Sequence, residues 1–160
     1  MAVVEHNDDA WQAHLELGVA CLDRGDIGCA RHHFSRAVIV QPDRVETQHC
    51  LAVALLKSGR SEQAVTLLER ALQGAPHAHK LKTTLLEAYV ESHDAAKAKK
   101  IAETLLEFDP GDYDTRVLYA TALLQLGELP AAQREFREVL SIDPLNTRAK
   151  KGLATAPPKE

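Results

Sequence analysis

Pro42, Pro76, Pro110 and Pro144 stand 34 residues apart, and other residues keep the same interval. Ala30, Ala64, Ala98 and Ala132 form one such column, and Ala20, Ala54, Ala88 and Ala122 form another. Gly25, Gly59 and Gly127 also stay in register, with His93 at the fourth place. Several columns in phase over four periods are an internal repeat. The fold must therefore be one supersecondary unit used four times, with each copy stacked on the next to complete a core.

Each landmark has a physical role. The alanines suit places where two helices pass closely. The glycines suit the left-handed residue that ends a helix. The prolines cannot continue a helix and punctuate the chain between units. Between these marks the apolar residues follow helical spacing, as at Leu51, Ala54, Leu55 and then Ala64, Val65, Leu67, Leu68, Ala71, Leu72. Each unit reads as a helix A, a tight turn, a helix B and a short loop. The pattern predicts helices over 11–24 and 28–41, 45–58 and 62–74, 79–92 and 95–108, and 112–126 and 130–142, with a short one at 147–154. Ser61 is the expected N-cap of the second B helix, and Asn146 that of the last helix. Pro130 sits in the first turn of its helix, where a missing N–H costs nothing.

This arrangement resembles the tetratricopeptide-repeat family, whose pattern is W-x2-L-G-x2-Y, then A-x3-F, then P, with a period of 34. The first unit carries Leu17, Gly18, Ala30, Phe34 and Pro42, with His14 for the Trp and Cys21 for the Tyr. The second carries Leu51, Ala52, Ala64, Leu68, Ala71 and Pro76; the third Leu85, Tyr89, Ala98 and Pro110; the fourth Tyr119, Ala120, Ala132, Phe136 and Pro144. In the third unit Leu86 stands where Gly18, Ala52 and Ala120 stand, and Ala102 replaces the larger Phe34, Leu68 and Phe136. That is a volume exchange that keeps the core filled. The resemblance implies an all-α, right-handed α-solenoid of four helix-turn-helix repeats, 11–44, 45–78, 79–112 and 113–146, forming a single domain over 11–146. An N-terminal tail at 1–10 and a short capping helix with a proline-containing tail at 147–160 flank it.

Composition narrows the function classes. A net charge of −4 argues against a nucleic-acid binder, which would show a basic face. No apolar run reaches the about 18 residues of a membrane span. The N-terminus M-A-V-V-E-H-N-D-D lacks a basic region followed by an apolar core, so no secretory signal is expected. Three cysteines, an odd number with no metal spacing, suit a reducing compartment and a cytoplasmic location; Cys21, Cys29 and Cys50 read as small core residues. Asn7 or Asp8 is expected to cap the first helix. Trp11 reads as a lid over the first helix pair or else as an exposed partner contact. Ala149, Leu153 and Ala154 are expected to cover the fourth repeat.

No catalytic chemistry emerges. There is no nucleophile motif, phosphate loop or paired catalytic carboxylate, and Glu87 and Glu91 read as an acidic strip. Eight histidines invite a metal reading. However, His32 and His33 point about 100° apart on a helix, and His77 and His79 lack a third ligand at motif spacing. The expectation is therefore a non-enzyme with no cofactor and no metal.

Function falls to shape. The resemblance implies that A helices line a concave groove that binds peptides or protein segments. The family's groove columns fall on Leu15, Val19 and Leu22; on His49, Val53, Leu56 and Lys57; on Lys80, Thr83, Glu87 and Val90; and on Val117, Thr121 and Leu124. The floor is apolar, with His49, Lys57 and Lys80 at one margin and Glu87 and Glu91 at the other. The co-chaperone members that clamp an acidic C-terminus use Lys and Asn, then Asn, then Lys and Arg. The corresponding residues here are Leu15, Val19, Cys50, Lys80 and Thr84, so only Lys80 fits and that clamp is rejected. The expected partner is a protein or peptide segment, amphipathic in character, held by an adaptor in an assembly, secretion or chaperone-type complex. The alternative is a structural protein that self-assembles into homo-oligomers through its terminal repeats. Nucleic acid and direct membrane insertion are not expected.

Overall fold

The computed structural model describes residues 10–156, and every regular element among them is an α-helix. The tail with Asn7 and Asp8, and the Pro157-Pro158 end, lie outside the described residues. The chain divides into two compact units, Met1–Leu85 and Leu86–Glu160. Unit one holds α1 (Ala10–Asp23), α2 (Ile27–Val40), α3 (Val45–Lys57), α4 (Ser61–Gly74) and the first turns of α5 (His79–Glu91). Unit two takes the rest of α5, then α6 (Ala95–Phe108), α7 (Tyr113–Gln125), α8 (Leu129–Ile142) and α9 (Thr147–Thr155). No helix end departs by more than one residue from the bounds the repeat predicts. Helices adjacent in sequence pack together: α1 on α2, α2 on α3 and α3 on α4 in unit one, and α6 on α7, α7 on α8 and α8 on α9 in unit two. Helices one place apart also meet, α1 on α3 and α7 on α9.

The turn inside each hairpin is one device used four times. Gly25, Gly59 and Gly127 adopt φ of 75°, 69° and 77°, and His93 takes the same left-handed region at 60°. The next N–H then donates to a carbonyl five residues back: Asp26 to Cys21, Arg60 to Leu55, Asp94 to Tyr89 and Glu128 to Leu123, each at 2.9 Å. These bonds satisfy carbonyls that the helix end would otherwise leave unpaired. The same four residues hold the cap position of helix B. The Asp26 and Asp94 carboxylates accept from the Cys29 and Lys97 amides. Ser61 is not the cap, because the turn fixes the cap one residue earlier, at Arg60, which makes no side-chain cap bond. Asn146 does cap α9, accepting from the Ala149 amide at 3.0 Å.

His93 pays the steric cost of a left-handed L-residue, about 1–2 kcal/mol. Glycine would remove that cost and lose about 0.5–1 kcal/mol to unfolded-state entropy. His93→Gly is therefore expected to raise stability by about 0.5–1 kcal/mol, read as a higher urea midpoint at unchanged slope. A lower midpoint would mean that the bond between His93 and Gln125, 3.2 Å long, outweighs the strain.

The column Ala30, Ala64, Ala98, Ala132 is fully buried, as close helix crossings require. Phe34, Leu68, Ala102 and Phe136 are equally buried, and so is Leu86, consistent with the volume exchange in the third repeat. Trp11 is a lid: it is buried, and the Arg44 guanidinium lies 3.9 Å from its ring centroid. At the other end α9 covers α8 with Ala149, Gly152 and Leu153, and Ala156 just past its end is buried too, its carbonyl accepting from Gln133 at 2.5 Å. Ala154 was expected on this face but is exposed, because it falls between the turns that carry 149, 152, 153 and 156.

Candidate functional site

In unit one the A-helix face is graded from core to solvent. Leu15 and Leu22 are half-buried and pack against the core of Cys21, Ala30, Phe34 and Ala54, whereas Val19 on the same helix is 45 % exposed. On α3, His49, Val53 and Leu56 are half-buried, and Lys57 is exposed. Lys80 at the start of α5 is exposed, and Thr83 is half-buried with its hydroxyl donating to the Lys80 carbonyl. Burial, reinforced by Lys80, holds the His49 imidazole below its ordinary pKa, which favours its neutral form. This face offers an apolar strip with a cationic edge.

In unit two the same columns are more deeply spent on packing. Val117 is only 3 % exposed and belongs to the core with Leu123 and Phe136; Val90 is also buried. Leu124 packs against that core, and the Thr121 hydroxyl donates to the Val117 carbonyl at 2.8 Å. Glu87 is half-buried and Glu91 exposed. The Glu91 carboxyl is raised above its usual range by desolvation and then by Glu87, with Arg148 acting in the opposite direction. Gln125 donates to the Val90 carbonyl at 2.9 Å. Arg116 is mostly buried and bridges Glu135 at 2.8 Å and Glu138 at 3.1 Å, which ties α7 to α8.

The cysteines differ from the expectation of three separate core thiols. Cys21 near the end of α1 and Cys29 near the start of α2 face each other across the tight turn, their Cα atoms 5.8 Å apart, and form a disulfide. Cys50 is free and half-buried, and burial pushes its thiol pKa up. An odd cysteine count does not exclude one pair and one single thiol. His33 joins the pair: its ligand nitrogen and the two sulfurs lie within 4.8 Å of one another. The His14 Nδ1 lies 3.1 Å from the His33 Nδ1. Motif spacing along the chain did not reveal this group, because two helices build it. The available signal was facial: Cys29 and His33 are four apart on α2, and His14 and Cys21 are seven apart on α1, so each pair shares a helix side.

Elsewhere in unit one a cleft of about 520 Å3 is lined by residues that include Val38, Pro42, Asp43, Leu67 and Arg70. It sits beside the B helices rather than on the A-helix face. Among the described residues no helix is long and apolar enough to cross a membrane.

Repeated helix hairpins with one shared turn and one shared alanine crossing define an all-α repeat protein. Family models described as tetratricopeptide repeat match residues 22–79, 55–112 and 89–156, and the chain belongs to the tetratricopeptide-repeat family. Among solved structures it is similar to MamA 41-end from Desulfovibrio magneticus RS-1, at 17 % identity and a TM-score of 0.83, covering 94 % of this chain and 85 % of that one. It is also similar to MamA AMB-1, at 23 % identity and 0.75, covering 93 % and 88 %. A tetratricopeptide repeat protein from Parabacteroides merdae matches at 20 % identity and 0.72, over 92 % of this chain and 59 % of that one. At these identities the likeness carries the fold alone. No curated protein sequence matches.

Proposed function

We propose that this protein is an adaptor that holds an amphipathic segment of a partner protein on the A-helix face of unit one. Tetratricopeptide-repeat proteins are in general non-enzymatic interaction scaffolds, and that class is what the family assignment supports. The observation that carries the finer reading is the half-buried strip of Val53 and Leu56 on α3, flanked by exposed Val19 on α1 and edged by Lys57 and Lys80. Apolar burial there supplies affinity at about 25 cal/mol per Å2 before the costs of ordering. The lysines set orientation and select a segment with one acidic flank, an effect that salt weakens. A cytoplasmic setting belongs to the same proposal.

A displayed library of helical peptides tests it. The selected sequences should share an apolar stripe with acidic residues on one side. Replacing Val53 and Leu56 together by Ser is expected to weaken the selected peptide at least about tenfold, the loss of roughly 1.4 kcal/mol, and to do so more than Lys57→Ala. Circular dichroism on the same variant separates lost binding from lost fold. A folded double variant that binds normally would remove this face as the site. The second reading, self-association through the terminal repeat, rests on Ile142 and Leu145, exposed at 61 % and 78 % near the last hairpin. Molecular mass that rises with concentration, and stays monomeric in Leu145→Asp, would favour it.

A further inference from the structure

We propose that the first hairpin, with its cysteines reduced, binds one zinc-class divalent ion through Cys21 Sγ, Cys29 Sγ and His33, with His14 as the fourth ligand. The donor set is the first argument. Cys21, Cys29 and His33 offer two sulfurs and a ring nitrogen that stand together, His14 lies beside His33, and the four would make up the S2N2 set that suits zinc. The spacing is the second. Two Zn–S bonds of about 2.3 Å at the tetrahedral angle hold their sulfurs about 3.8 Å apart, and two Zn–N bonds of about 2.0–2.1 Å hold their nitrogens about 3.3 Å apart. Cysteines whose Cα atoms lie 5.8 Å apart reach that sulfur separation by side-chain rotation. The Nδ1 atoms of His14 and His33 lie 3.1 Å apart, and the two sulfurs and a His33 ring nitrogen fall within 4.8 Å of one another.

Charge and burial are the third argument. Cys21 is 1 % exposed, so a thiolate there needs compensation. Two thiolates neutralise a dication, and the Arg24 guanidinium, 3.9 Å from the Cys21 sulfur, favours the thiolate. Binding takes up the ion and releases the two thiol protons, so no oxidant or reductant enters the binding step itself. The ion would tie α1 to α2 across the turn at Gly25, replacing the disulfide wherever thiols are kept reduced. Cys50 on α3 packs near the same core but lies outside the proposed ligand set.

Cobalt(II) titration of the full chain, reduced with a phosphine and handled without oxygen, tests the site. One equivalent is expected to give the strong visible bands of tetrahedral cobalt and a sulfur-to-metal charge-transfer band, both abolished when zinc displaces it. Cys29→Ser and His33→Ala are each expected to weaken binding at least about 100-fold, more than the loss of an outer-shell partner does. His33 is only half-buried, so its variant should keep the fold, and circular dichroism checks both. Cys50→Ser should bind as the native chain does, and the oxidised chain should not bind. No tetrahedral spectrum from the reduced native chain would overturn the proposal. So would an unchanged spectrum in folded His33→Ala, a spectrum lost in Cys50→Ser, or equal binding by the oxidised chain.

Discussion

Phe136→Ala is expected to cost about 3–5 kcal/mol of unfolding free energy. The ring is fully buried in a cluster with Val117, Ala120, Leu123, Ala132, Val139 and Ala149, residues drawn from α7, α8 and α9. Part of the loss is the transfer of the ring, and the rest is the cavity it leaves. Gly152 on α9 shows how tightly the ring is enclosed, since a Cβ built there would lie 2.2–2.6 Å from three ring atoms. Rigid helices on three sides limit how far the site can collapse. The consequence should be local as well as global. Helix α9 has nine residues, too few to persist without docking. Amide exchange in α9 should therefore accelerate more than the global destabilisation requires. Ile142→Ala, at a position 61 % exposed, serves as the control and should stay within about 0.5 kcal/mol of the native chain. A Phe136→Ala chain with native stability would mean that the last repeat closes over the void.

Sequence and structure agree most where the repeat governs and least where chemistry is built between helices. Helix bounds follow from proline and glycine columns, which act through local backbone sterics and so can be read one residue at a time. The Asp26 and Asp94 caps keep the same register but were not read from it; Ser61 misled because a favourable residue type stood one place off that column. The A-helix face is harder. Leu15 and Val117 share one column, yet one is half-buried and the other sits in a core, because exposure depends on the neighbouring helix. The group of Cys21, Cys29, His33 and His14 was hidden for a related reason. Its members are separated by 19 residues in the chain, from 14 to 33, and only the tight turn at Gly25 brings the two helix faces together.

Gly18→Ala is expected to destabilise the chain by about 1–3 kcal/mol, although the substitution favours a helix interior by about 0.5–1 kcal/mol. Packing is expected to win because of what the methyl group would meet. A Cβ at Gly18 would lie 2.3, 2.5 and 2.9 Å from three atoms of the Phe34 ring, a rigid and fully buried group that cannot swing into solvent. Phe34 and Phe136 hold the same repeat position, yet the glycine that admits the ring differs. For Phe34 it lies on the preceding helix α1, and for Phe136 on the following helix α9. The second repeat solves the same problem with Ala52 and Leu68, both fully buried. Phe34→Leu in the Gly18→Ala background should therefore recover stability that Phe34→Leu alone loses, giving a favourable coupling of about 1 kcal/mol or more in a double-mutant cycle. Gly74→Ala calibrates the backbone term, since nothing lies within 4 Å of a Cβ there, and it should be neutral or slightly stabilising. If Gly18→Ala behaves as Gly74→Ala does, the ring has another place to go and the glycine is not what seats it. If it destabilises without coupling to Phe34, the strain lies in the α1 backbone rather than in the contact between helix and ring.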